Sequence, residues 1–208
     1  MKLYLIRHGV TDANASNVIQ GHQPTPLNDA GRRQARRLAD RLASSGPCFD
    51  LLICSDLPRA AQTAQAIAET CHTPVTFDRA WRERGFGEWE GMARTEGEIW
   101  QAASGEFTPP GAESPDQFRD RIVGALISLP MRRPQVSAAA VVTHGGPCRM
   151  VLRLLAEGVL PLEPGAPRPE VQNIANCSIM HLQTTGQPPV IRWKLLRLND
   201  VDHLADPD

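Results

Sequence analysis

Leu3-Tyr4-Leu5-Ile6-Arg7-His8-Gly9 runs from four apolar residues straight into a cation, an imidazole and a glycine. With no polar alternation, it reads as a strand buried on both faces, the pattern of a parallel sheet covered by helices. Far downstream, Ala138-Ala139-Ala140-Val141-Val142-Thr143-His144-Gly145-Gly146 repeats the arrangement. Ligands of open α/β sheets collect at the carboxyl ends of the strands. Two buried strands that each end in His-Gly therefore predict one site holding both imidazoles.

The segments around these strands fit the same plan. Small polar residues from Gly9 to Asn14, then Gln20-Gly21-His22, suit a loop and short helix folding back over the first strand end. Asn28 or Asp29 can cap a helix to about Ala43, with Ala35, Leu38, Ala39 and Leu42 facing inward and Arg32, Arg33, Arg36, Arg37 and Arg41 on a solvated face. Phe49 to Cys54 reads as a second buried strand. Ser55-Asp56-Leu57-Pro58-Arg59 then opens an Ala-rich helix, with Ser55 or Asp56 as capping oxygens and Pro58 in the first turn. Pro74 to Phe77 is a third strand. From about residue 81 to 115 periodicity is lost and Trp89, Trp100 and Phe107 appear, which predicts an irregular lid carrying specificity. A helix over Asp116–Leu129 follows, then the strand ending at His144 and a helix opened by Gly145-Gly146-Pro147. A Pro-rich loop, two closing strands near Ser178–Leu182 and Val190–Leu195, antiparallel at the sheet edge, and a frayed tail after Leu198 complete the chain. The alternation predicts a three-layer α/β/α fold: one domain over 1–208 with a doubly wound, mostly parallel sheet and a lid inserted after the third strand.

Composition narrows the function. With 208 residues, 41% hydrophobic and 22% charged, the chain suits a globular domain with a substantial core. A formal net charge of -1 gives no global attraction to nucleic acid or an anionic membrane. No apolar run approaches a membrane span, and a strand starting at Lys2 leaves no room for a signal peptide. Five scattered cysteines without a CxxC pair indicate neither a zinc ribbon nor a disulfide framework. A reducing cytoplasm is the expected compartment.

Arg7, His8, Arg59 and His144 gather at the predicted strand ends, with Asn14 and Glu83 on adjoining loops. Two guanidinium forks and amide-rich helix starts make a receptor for a tetrahedral dianion, that is, phosphate. An imidazole held there can attack phosphorus and form a phosphohistidine. Two arginines and a protonated second histidine would neutralise the equatorial oxygens. Glu83 is the candidate to protonate the leaving alcohol, ahead of Glu88 and Glu90; Arg82 and Arg84 favour its carboxylate, while burial and a bound dianion favour the acid. The scheme requires no metal and no cofactor.

These residues also carry a family resemblance. Arg7-His8-Gly9 with Thr11 and Asn14, Ser55-Asp56-Leu57-Pro58-Arg59-Ala60-Ala61-Gln62-Thr63-Ala64, Arg82-Glu83 followed by Gly87-Glu88-Trp89-Glu90-Gly91, and Thr143-His144-Gly145-Gly146 resemble the histidine phosphatase superfamily. The phosphoglycerate mutase-like branch is the nearest, over residues 2 to about 198. The resemblance implies that His8 is the phosphorylated nucleophile and Glu83 the proton donor and acceptor. It further implies that Arg7, Asn14, Arg59, His144 and Gly145 bind the phosphoryl group and that Gln20-Gly21 lines it. Val10 departs from the Glu that many relatives carry after Arg-His-Gly.

The leading expectation is a phosphatase acting on a small phosphorylated metabolite. A phosphoglycerate mutase with the same intermediate is the alternative, and a silent phospho-ligand or protein-binding module a more distant one. Mutases of the family carry a longer segment after the acid with extra basic residues, whereas here that segment offers little beyond Arg84 and Arg94. His22 reads as a loop residue, with contact to substrate the less favoured alternative. An edge strand near Val190 to Leu195 offers a surface for a homodimer.

Overall fold

A computed structural model of the chain describes residues 1–45, 49–94, 108–187 and 190–205. Strand β1 (Lys2–Arg7) leads through a one-turn helix α1 (Asp12–Ala15) to α2 (Asp29–Ser45). Then come β2 (Leu51–Cys54), α3 (Pro58–Cys71) and β3 (Val75–Phe77). After the lid segment follow α4 (Pro115–Arg132), β4 (Ala138–Thr143), α5 (Gly145–Glu157), β5 (Ile179–Gln187) and β6 (Val190–Asp200). The strands form one sheet in the order β3-β2-β4-β1-β5-β6. β1, β2, β3 and β4 are mutually parallel, and β5 and β6 pair antiparallel at one side.

The alternation of side chains along a strand divides the core into two layers. Leu3, Leu5, Ala139 and Val141 face α4 and α5, packing with Ile122, Leu126, Val151 and Leu155. Ile6, Ala138, Ala140 and Val142 face α2 and α3, packing with Leu38, Leu42, Ala64 and Ile67. Ala140 opposite the Ala-rich α3 is small against small, which lets helix and sheet approach closely. The three-layer, mostly parallel architecture expected from the sequence is the one observed.

Register then positions the site. Arg7 is paired with Thr143 across β1 and β4, and Cys54 with Val142 across β2 and β4. The next residues, His8, His144 and Ser55, emerge side by side at the carboxyl edge.

Four expectations are corrected. Asn28 does cap α2, its Oδ1 accepting from the Gly31 amide at 2.9 Å, but α3 has no side-chain cap: Leu57 occupies the cap position. Asp56 instead pairs bidentately with Arg82, both contacts at 2.5 Å. The tail is not frayed at Leu198, because β6 continues to Asp200, whose carboxylate takes both terminal nitrogens of Arg41 at 2.8 and 2.7 Å. Arg41 is thus withdrawn from the solvated face of α2. The closing strands are longer than expected, since the Thr184-Thr185-Gly186 stretch pairs with Ile191–Trp193 as a hairpin arm. Part of the exposed edge of β6 is occupied: Trp193 donates to Pro161 O and accepts from Glu163 N. Among the described residues, no helix is long and apolar enough to cross a membrane.

Candidate active site

His8 is 3% exposed and His144 fully buried, with ring centroids 5.1 Å apart. His8 Nδ1 lies 2.6 Å from Gly9 O. A carbonyl only accepts, so Nδ1 carries the proton and Nε2 is left with its lone pair. The backbone here is held on several sides: His8 N donates to Thr143 O at 2.9 Å, Gly9 N to Thr63 Oγ1 at 3.1 Å, and Asn176 Nδ2 to His8 O at 3.0 Å. His144 Nε2 lies 2.8 Å from Ser55 Oγ, which itself accepts from the Leu57 amide. Ser55 can give its hydroxyl proton to Nε2, the tautomer in which His144 Nδ1 is a donor.

Burial, followed by the nearby guanidiniums of Arg59 and Arg7, pushes the His8 pKa well below the ordinary imidazole value. His144 is lowered in the same way, by burial first and then by Arg59, His8 and Arg7. Burial and the two guanidiniums thus favour the neutral form of both rings in the absence of a bound anion, which suits a nucleophile at His8, while Arg7 and Arg59 supply positive charge to the site.

The arginines are also used differently from simple forks. Arg59 is 1% exposed, and its terminal nitrogens donate to Gly21 O at 2.7 Å, Gln23 O at 2.9 Å and Thr25 Oγ1 at 3.2 Å. It clamps the 21–25 loop with three of its five N–H groups. Burial lowers its pKa to about 10, opposed by Glu83 and Glu90. Arg7 donates through Nη1 to Ile174 O. Arg7 Nε, Arg59 Nε and His144 Nδ1 are buried polar atoms without a hydrogen-bond partner among the described residues. Orphaned buried donors are costly and rare in proteins.

Arg7, His8, Asn14, Gln20, Gly21, Arg59, Glu83 and Gly145 all line one small cavity of about 30 Å³. Asn14 Oδ1 accepts from Asn176, and Gln20 Oε1 accepts from Thr11 and Thr25, which orients both amides. Gly21 sits at φ +48, and a Cβ there would come within 2.0 Å of Glu90 Oε1. Glu90 receives the amides of His22 and Phe86, so it braces the loop instead of facing the cavity, and Glu88 is exposed.

Glu83 is positioned by anchors on both sides of the lid. Trp81 is 1% exposed in the core, and its carbonyl accepts from Thr143 Oγ1 at 2.7 Å. Arg121 of α4, paired with Glu113, donates to Ala80 O, Arg82 O and Glu83 O. The Glu83 carboxylate accepts from the Arg84 amide at 2.9 Å and the Gly146 amide at 3.0 Å. Of the neighbouring guanidiniums, Arg82 goes to Asp56 and Arg84 Nε to Glu113 O. His22 Nε2 lies 2.8 Å from Glu83 O, making His22 a brace behind the acid.

A larger pocket of about 410 Å³ opens beyond Glu83. Its walls include Ile19, Phe86, Trp89, Phe118, Met150 and Val171. Trp100 and Phe107, also expected in the lid, lie outside the described residues. Arg94, Arg149 and Arg153 line it as well, so the basic groups the lid lacks come from α5. The sequence reading passed over Arg149 and Arg153, Ser55 as a partner of His144, and Arg121. The first pair had a usable signal, an i, i+4 spacing one and two turns into the helix after His144. Ser55 and Arg121 had none, since their roles depend on long-range packing.

Residues 3–200 match the sequence profile of the histidine phosphatase superfamily (branch 1), and the chain belongs to that family of enzymes. Within it, the chain is 34% identical over 99% of its length and 96% of the relative's to a Proteus mirabilis protein named "Probable phosphoglycerate mutase GpmB". A solved mycobacterial glucosyl-3-phosphoglycerate phosphatase superposes with a TM-score of 0.80 at 27% identity, over 95% of this chain and 98% of that one. The alpha-ribazole phosphatase of Shigella flexneri gives 0.76 at 26% identity, over 97% of each chain.

Proposed function

We propose that the protein is a phosphatase hydrolysing a small phosphomonoester through a phosphohistidine on His8. The observation that carries this is the set of orphaned donors, Arg7 Nε, Arg59 Nε and His144 Nδ1, beside a histidine whose Nε2 lone pair is unprotonated. A phosphoryl group supplies the acceptors those donors lack. Nε2 of His8 attacks phosphorus as the ester P–O bond breaks, and Glu83, as general acid, gives a proton to the leaving alkoxide oxygen. The Glu83 carboxylate then takes a proton from water, whose oxygen attacks phosphorus and returns the bonding pair to His8. Arg7, Arg59, His144, Asn14, Gln20 and the Gly21 and Gly145 region hold the equatorial oxygens throughout; no step calls for a metal or cofactor.

A phosphoglycerate mutase would share the first half of this cycle, and the names of sequence relatives favour it. The pocket favours hydrolysis of a bulkier ester, because about 410 Å³ of largely apolar space exceeds what a three-carbon acid fills. Phosphate release over a panel of phosphomonoesters, with His8→Ala as control, tests the proposal. The wild type is expected to release phosphate at least a thousandfold faster on its best substrate. Equal rates on every substrate would refute it, and bisphosphoglycerate-dependent conversion of 3-phosphoglycerate to its 2-isomer would establish the mutase. Acid-labile, base-stable phosphate on quenched enzyme would identify the histidine adduct.

A further inference from the structure

The turn from Ile174 to Ser178, just ahead of β5, is fastened to the end of β1 at several points. Ile174 O accepts from Arg7 Nη1, and Ser178 O accepts from the Arg7 amide at 3.2 Å. The Cys177 amide is shared between Arg7 O at 3.0 Å and His8 O at 3.2 Å. These contacts use backbone atoms, so the side chains of the turn matter little to them. Asn176 differs, because it contributes a side chain. Its Nδ2 donates to His8 O at 3.0 Å and to Asn14 Oδ1 at 3.2 Å. An amide NH2 group carries two hydrogens, and both are committed here. One nitrogen therefore joins the backbone of His8 to the side chain of Asn14, reaching Asn14 across 162 positions of sequence.

Asn14 needs such a tie. It sits on α1, a single turn of four residues and too short to be stable by itself. The capping box sets the direction of its amide: a backbone N–H only donates, so the atom 3.2 Å from the Thr11 amide is Oδ1. Nδ2 is then the end left to face the cavity that Asn14 lines, and it has no acceptor among the described residues. The capping box is local and moves with its own turn, whereas Asn176 ties that turn to the strand end. We infer that Asn176 is a positioning residue: it holds the Asn14 N–H donors on the phosphoryl group while that group is in line with Nε2 of His8. The inference rests on the phosphatase reading and adds to it a residue that acts through another side chain. Without the Asn176 amide, His8 O keeps the Cys177 donor but Asn14 loses its tether, so the effect is carried by Asn14.

A double-mutant cycle separates positioning from general structural support. Calorimetry measures the binding of inorganic phosphate to the wild type, Asn176→Leu, Asn14→Ala and the double variant. Asn14→Ala is expected to weaken binding about tenfold, the order of one hydrogen bond to a charged group. Asn176→Leu should weaken it about fivefold alone and less than about twofold in the Asn14→Ala background, because the two residues act as one unit. Asn176→Ala repeats the cycle with a smaller side chain in case Leu disturbs folding, and the same pattern is expected. Unchanged binding in both Asn176 variants, or the same loss with and without Asn14, would overturn the inference. Phosphate release from a panel of phosphomonoesters is measured alongside. A wild type that shows the coupled binding but releases no phosphate would count against the phosphatase reading alone, and one that binds no phosphate would overturn both.

Discussion

Replacing Gly146 with alanine separates Glu83, the proposed proton donor, from the rest of the site. A Cβ at this position would stand 1.8 Å from Glu83 Oε1 and 2.9 Å from Glu83 Cδ. Ordinary contact begins near 3.4 Å, so the carboxylate must retreat by about 1.6 Å, the difference of the two distances. That also removes the 3.0 Å hydrogen bond from the Gly146 amide. A misplacement of roughly 1 Å costs on the order of 10²-fold, and the whole contribution of a general acid is roughly 10²–10⁴-fold. The expected loss in kcat for Gly146→Ala is therefore about 10²-fold on an alkyl phosphate, whose leaving alkoxide needs the proton. On p-nitrophenyl phosphate, whose leaving group departs unprotonated, the loss should be under about tenfold. Thermal stability should hold or rise, since alanine is favoured over glycine in a helix by about 0.5–1 kcal/mol. The assay is phosphate release from both substrates beside a melting curve. Equal losses on both substrates, or none on either, would refute the assignment of Glu83 as the acid.

Two further outcomes follow from groups that the chemistry does not consume. His8 and His144 are held neutral by burial, so below pH ~6.5 the unfolded chain takes up protons that the folded chain does not. Stability is thus fully present above that pH and is lost as pH falls, by up to about 1.4 kcal/mol per pH unit for each histidine. Urea unfolding between pH 7.5 and 5.0 checks this, and a flat midpoint without phosphate would contradict it; added phosphate should lessen the loss by favouring the protonated rings. Arg121→Leu strips the donors from the carbonyls of Ala80, Arg82 and Glu83 while keeping an apolar stem. It should lower kcat about tenfold with little change in KM and cost about 2 kcal/mol in chemical denaturation; an unchanged kcat would remove Arg121 from the positioning of Glu83.

How far the sequence could be read depends on where the information for each feature resides. The two histidines were legible because strand burial on both faces, followed by His-Gly, is a local pattern, and a parallel sheet turns two such patterns into neighbours. Arg59 was legible as a site residue but not in its manner of use. Its terminal nitrogens are committed to the carbonyls of Gly21 and Gln23, partners that lie 38 and 36 residues away in sequence. A strand end likewise says that an imidazole is near the ligand, whereas the downward push on the His144 pKa comes from burial and then from Arg59, His8 and Arg7, which no local pattern encodes. The frayed tail was misread because Asp200 looks like a solvated residue until Arg41 is brought opposite it.

The lid follows a different logic. Its irregular sequence from residue 81 has no period to read, yet its first residues are among the most constrained in the protein. Trp81 is sunk in the core, Arg82 is tied to Asp56 just beyond β2, and Arg121 fastens the carbonyls of Ala80, Arg82 and Glu83. Such an anchor holds the backbone of Glu83 in place at the mouth of the pocket beyond it. Glu83 sits at that boundary, with fixed backbone behind it and the roomier, arginine-rimmed pocket ahead. The reacting end of the substrate is therefore specified by residues locked into the sheet and helix starts, and the remainder of the substrate by α5 and the lid. Family membership constrains the first and leaves the second open, which is why proteins of this fold with different named substrates superpose so well on this chain.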